Sequence, residues 1–125
     1  MDDGPNLDIR VEPRPAGLVV AHVAGDVDII AIPPLRHCVD EQLGSASAFV
    51  LDLTDVGFFG AAGLSLLVGL SAQAGERELP WALTGGRPVL RPLEVTGLDR
   101  SLPVFAELGD AVAAVVVRLP VGAGG

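Results

Sequence analysis

Hydrophobic and polar residues recur at two different periods along this chain, and the order of those periods predicts the architecture. From Leu7 to Glu12 the alternation is strict, with Leu7, Ile9 and Val11 on one side and Asp8, Arg10 and Glu12 on the other, the pattern of a half-buried strand. Pro13 to Gly17 is a turn by composition, and the Val-rich run from Leu18 to Ala24 returns as a more buried strand, completing a hairpin. Pro33 and Pro34 suit the first turn of a helix on which Leu35, Val39 and Leu43 recur every fourth residue, with Gly44 at its end. Phe49 to Leu53 is apolar except for Asp52, as in a covered central strand. Four small residues, Gly60-Ala61-Ala62-Gly63, then hand over to an apolar helix that runs to about Ala74 and stops at Gly75.

On that helix Leu64, Leu67, Val68 and Leu70 are expected to face the core, and Ser65, Gly69, Ala72, Gln73 and Glu76 the opposite side. Such an outer face is small and nearly uncharged, which suits either close approach of another protein or cover by a neighbouring element. Further on, Leu79 to Leu83 reads as a strand containing Trp81. Gly85-Gly86 turns the chain, and Pro88 opens a short helix through Leu90, Leu93 and Val95 that ends at Gly97. Leu102 to Phe105 is an edge strand and Glu107 to Val117 a last helix. Strands alternating with helices after an opening hairpin imply an α/β fold, a mixed sheet of four to five strands with about four helices packed on it. The expected domain is 7–117, between a flexible N-terminus, 1–6, and a flexible tail, 118–125.

Composition narrows the function. With 125 residues, half of them hydrophobic, the chain can bury one full core. A formal net charge of -8, with no Lys and eight scattered Arg, argues against nucleic-acid binding, which needs clustered cations. The single cysteine, Cys38, cannot close an intramolecular disulfide. The acidic start MDDGPNLD is not a secretory signal, and no apolar run reaches the ~20 residues of a membrane span. A cytoplasmic protein without membrane insertion is the expectation.

Candidate chemistry is sparse. Asp26 and Asp28, two residues apart after Gly25, could share a metal or a proton, but no cluster of His, Cys or Glu accompanies them, and an exposed strand end is the plainer reading. His22 alternates with apolar neighbours and reads as packed or surface-facing. His37 and Cys38 are adjacent on a helix and point apart, so Cys38 reads as a buried, inert thiol. Asp52 and Asp55 flank Thr54 and are expected to cap or solvate a loop. Gly85-Gly86-Arg87 lacks the spacing of a phosphate loop, and no nucleophile motif occurs. No enzyme, cofactor or metal site is expected.

Four segments in order carry a resemblance. Gly25-Asp26-Val27-Asp28 is similar to a G-E-L-D segment and Phe49-Val50-Leu51-Asp52-Leu53 to a V-L-D-L strand. Phe58-Phe59-Gly60-Ala61-Ala62-Gly63-Leu64 is similar to an F-(I/M)-D-S-(S/T)-G-L loop, and Leu93 to Phe105 to a closing segment, of STAS domains, among them the bacterial anti-sigma factor antagonists. The resemblance, spanning about Leu7 to Val115, implies a small α/β domain that binds an anti-sigma factor, usually a serine kinase of the GHKL ATPase type, and frees a sigma factor. It implies a partner surface at Asp26, Asp28, Gly60, Ala61, Ala62, Gly63, Ser65 and Gly69. In that family the kinase phosphorylates the first Ser of the loop. Here Gly60 stands at the acidic position, Ala61 at the acceptor and Ala62 at the second hydroxyl, so the switch is expected to be missing, with Ser65 the nearest hydroxyl. A STAS adaptor subunit of a larger signalling or lipid-transport assembly is the other reading, and the sequence leaves a weak homodimer open.

Overall fold

The computed structural model of the chain describes residues 4–119; the ends of the expected flexible segments, 1–3 and 120–125, lie outside the described residues. Its framework is a five-stranded sheet in the order β1-β2-β3-β4-β5, formed by Leu7–Pro13, Leu18–Val27, Ala48–Phe59, Trp81–Gly85 and Val104–Phe105. β1 and β2 are antiparallel, and the remaining neighbours are parallel. Four helices follow the strands from β2 onward: α1 (Ile32–Ser45), α2 (Ala61–Glu76), α3 (Arg87–Thr96) and α4 (Leu108–Arg118). The mixed sheet with an opening hairpin is therefore present as its hydrophobic pattern predicts.

Two cores lie on opposite faces of the sheet. On one, Val27, Leu51, Leu53, Phe59 and Leu83 pack under Leu35, Val39 and Leu43 of α1, Leu66, Leu67 and Leu70 of α2, and Val89 and Leu93 of α3. On the other, Leu18, Val20, Val50 and Ala82 pack under Ala111 and Val115 of α4. Strand residues alternate between the two cores because successive side chains of an extended chain point to opposite faces. A parallel sheet covered by helices on both faces needs this double apolar character.

Several boundaries differ from the sequence reading: β2 runs to Val27 rather than Ala24, and β5 is Val104–Phe105 rather than beginning at Leu102. β3 continues six residues past Leu53 to Phe59, because its pairing with β2 shifts register twice, between His22 and Ala24 and between Gly25 and Asp26. Each shift spends an extra residue on β3, which breaks the alternation by which a strand is recognised. β4 begins at Trp81, after Pro80, and carries on through Gly85. α2 starts at Ala61 and passes through Gly75, so the alanines are helical residues rather than loop ones.

The core stripe of α2 also differs from expectation. Gly63, Leu66, Leu67, Leu70 and Ala74 are buried, while Val68 is exposed. Leu64, Leu66, Leu67, Val68 and Leu70 surround the helix axis, so residue type alone does not give the phase. Gly63 does: a Cβ there would lie 2.8 Å from two ring atoms of buried Phe59 and 3.0 Å from Val27 Cγ1, which turns this side inward.

Candidate functional site

The C-terminal ends of β2 and β3 lie side by side and lead into α1 and α2. Val27 pairs with Phe59, and the Gly60 amide donates to the Val27 carbonyl at 3.0 Å. This joins the Asp28–Ala31 turn to the start of α2. Gly60, in extended conformation, caps α2 without a side-chain hydrogen bond, and its carbonyl accepts from the amides of Gly63 and Leu64. Ala61 is exposed at the first helical position, Ala62 is half-buried and Gly63 is buried.

Along α2 the residues exposed at offsets of four, seven and eleven from Ala61 are Ser65, Val68 and Ala72. That stripe carries no charge. Gly69 and Gln73, expected on the same face, instead line a narrow seam against Arg36, Val39 and Asp40 of α1. At the same end of the sheet, large apolar side chains face solvent: Ile29 is 77% exposed, Ile30 57%, Phe58 53% and Val68 47%. Adjacent exposed isoleucines in a turn are costly to leave in water. The sequence reading missed Ile29, Ile30 and Phe58, although two isoleucines straight after a Gly-Asp-Val-Asp turn were the available signal.

The two carboxylates beside this surface are structural in their contacts. Asp26, half-buried on β2 opposite Phe58, accepts from the Asn6 side-chain amide at 3.2 Å, and its backbone amide donates to the Asn6 carbonyl at 2.7 Å. Asp28 lies beyond the strand, and its Oδ1 accepts from the Ala31 amide at 3.1 Å, which holds the turn that displays Ile29 and Ile30. Each has its own partner and they share none. Among the described residues no group of three or more His, Cys, Asp or Glu is arranged to hold a metal.

The other candidates lie apart from this surface. His37 is exposed, 3.5 Å from Glu41, and Cys38 is half-buried rather than buried because it lies at the margin of α1's core face. Burial first, and then the Glu41 charge, raise the Cys38 pKa, so the thiol stays protonated and weakly nucleophilic. Asp52 is half-buried on β3. Burial pushes its pKa up but is outweighed by the Thr54 hydroxyl and amide and by His22, leaving it below the usual carboxylate value. Asp55 is exposed after the first register shift, opposite Ala24. Among the described residues no helix is long and apolar enough to cross a membrane.

The fold is a helix-covered mixed sheet that exposes small and apolar side chains at one end. Comparison with known proteins specifies its kind. The family model described as the STAS domain matches residues 6–111. The anti-sigma-F factor antagonist RsfB of Mycobacterium tuberculosis is 30% identical over 100 residues, 79% of this chain and 82% of the relative. A crystal structure of an anti-sigma factor antagonist from Mycobacterium paratuberculosis superposes with a TM-score of 0.81 at 31% identity, covering 88% of this chain and 94% of that one. Unphosphorylated SpoIIAA, at 16% identity and a TM-score of 0.72 over 89% and 96% of the two chains, shares the fold. The chain belongs to the STAS domain family, in its anti-sigma factor antagonist branch.

Proposed function

We propose that this protein binds an anti-sigma factor, a serine kinase of the GHKL ATPase type, and so releases a sigma factor, without phosphorylation control at the start of α2. The carrying observation is the uncharged stripe Ala61, Ser65, Val68 and Ala72 beside Ile29, Ile30 and Phe58 in a protein of net charge -8. A chain this acidic that keeps one helix face free of charge has a surface suited to burial against a partner. Asp28 acts mainly by holding the turn that displays the isoleucines, Asp26 by tying Asn6 to the end of β2, and Gly63 by letting α2 settle on Phe59. Gly69 borders the open seam with α1 and lies off the exposed stripe, so it makes at most a peripheral contact.

Regulation follows from side-chain chemistry. Neither Ala61 nor Ala62 has an oxygen to accept a phosphoryl group, and Ser65 lies on the helix one turn in, where the backbone is already hydrogen-bonded and poorly presented to a kinase. The test is capture of partners from the host cytosol with the wild-type chain and with Ala61→Ser, followed by incubation with ATP and measurement of intact mass. The wild-type chain retains an anti-sigma factor and its mass is unchanged. The Ala61→Ser chain gains one phosphate and loses the partner. Failure to retain any anti-sigma factor overturns the function, and a phosphate on wild-type Ser65 overturns the lack of control.

A further inference from the structure

The strongest side-chain cluster in the molecule lies away from the docking surface, on the α4 face of the sheet. His22 stands on β2 between Glu12 of β1 and Asp52 of β3. Its Nδ1 is 2.7 Å from Asp52 Oδ2 and its Nε2 is 2.7 Å from Glu12 Oε1. Ionised carboxylates offer only acceptors, so contacts this short on both ring nitrogens require both to donate, and the ring that satisfies them is the imidazolium. Glu12 is also bound by Arg14 Nε at 3.1 Å, and the second oxygen of Asp52 accepts from the Thr54 amide and hydroxyl. We propose that Glu12, His22 and Asp52 form a proton-dependent latch that ties the edge strand β1 to the centre of the sheet.

The asymmetry of the latch decides how it opens. When the ring gives up one proton, a nitrogen lone pair faces a carboxylate, and one contact must break. Asp52 is the more buried, its side chain 13% exposed against 35% for Glu12, and its other oxygen is fixed by two hydrogen bonds to Thr54. Glu12 lies on an edge strand and has Arg14 to turn to. The remaining N–H therefore stays with Asp52, and Glu12 is released. Arg10, directly across from His22 in the β1–β2 register, is exposed and pairs with neither carboxylate. Around α4, which packs on this face, Glu107 at its N-cap and Asp110 and Arg118 on the helix form no ion pair with the cluster, and Thr84 on β4 is uncharged. Loss of the proton thus removes the polar side-chain cross-link between β1 and the sheet and leaves the backbone ladder and the packing of Leu7 and Ile9 on the core.

The test follows the proton and the strand together in the full chain. Imidazole nitrogen shifts at acidic and alkaline pH report how many ring protons His22 carries, with exposed His37 as the internal reference. Hydrogen-exchange protection of β1 amides, corrected for intrinsic rates and referred to β3, is measured across the same range. The expected result is β1 protection that falls about fivefold relative to β3 as His22 passes from two ring protons to one, in keeping with a partly exposed charged contact. His22→Gln shows low β1 protection without that pH dependence. β1 protection that does not change as His22 passes from two ring protons to one, or an unaltered pH dependence in His22→Gln, overturns the latch.

Discussion

Replacing two glycines of α2 by alanine should move stability in opposite directions. At Gly69 an added Cβ meets nothing within 4 Å, so the substitution gives the usual gain of about 1 kcal/mol for Gly to Ala inside a helix. At Gly63 the same Cβ would lie 2.8 Å from Cε1 and Cζ of Phe59 and 3.0 Å from Val27 Cγ1. Both neighbours are buried and cannot swing into solvent. Overpacking of this kind costs about 1–3 kcal/mol, and after subtracting the same helix gain a net loss of about 1 kcal/mol remains. For a domain of this size 1 kcal/mol corresponds to about 3–6 °C, so the two variants should differ in Tm by about 6–12 °C, one on each side of wild type. Thermal unfolding followed by circular dichroism, with urea midpoints as a check, measures both. A Gly63→Ala protein that melts above wild type would refute the close packing of α2 on Phe59.

Other variants test separate parts of the structure. The Thr84 hydroxyl is fully buried without a hydrogen-bond partner among the described residues, so Thr84→Val should stabilise by about 1 kcal/mol in urea unfolding. The Asp52 and Glu12 pKa values are depressed, Glu12 by its bonds to His22 and then Arg14, so the stability they supply is present above the ordinary carboxylate range and is lost as pH falls through their folded values. Asp52→Asn should flatten that acid limb in urea midpoints taken from pH 5 down to pH 2.5. Ala61→Glu places an acid in a first turn that has none, which should raise Tm slightly, by about 0.5 kcal/mol of helix stability, while reducing capture of the anti-sigma factor. Ile29→Asp should leave Tm within a degree or two of wild type, and should lower partner affinity more than tenfold in titration calorimetry.

Some elements were legible in the sequence because their surroundings were polar. α1 is the clearest case: Leu35, Val39 and Leu43 are separated by Arg36, His37, Asp40 and Glu41, so only one face could be buried, and that face is the buried one. The phase of α2 was not legible, since apolar residues occur all round it and the inward side is set by the absence of a side chain at Gly63. The second half of β3 was hidden by its two register shifts, which place Thr54, Asp55, Gly57 and Phe58 in an order that looks like a loop. The His22 cluster depends on residues 10 and 30 positions away meeting across three strands. Nothing local predicts it, because it exists only once the β1–β2–β3 register is known.

Where α2 begins sharpens the functional reading of its first residues. A helix start leaves amides that a capping side chain would otherwise bind, and an acidic cap contributes about 1 kcal/mol relative to alanine there, whereas glycine gives up only a few tenths. Gly60 therefore sacrifices little stability, and with no side chain at the cap nothing projects over Ala61 at the first helical position. An oxygen at 60 or 61 would bind these amides and add polarity or charge to the rim of a surface whose other members are Ile29, Ile30, Phe58 and Val68. Gly60 and Ala61 thus act in the same direction: they lower the cost of drying this end of the sheet. Under the proposed function, a partner docking here meets a surface that costs little to dehydrate and whose stripe carries a single side-chain hydroxyl, Ser65, so its release is governed by something other than a charge at position 61.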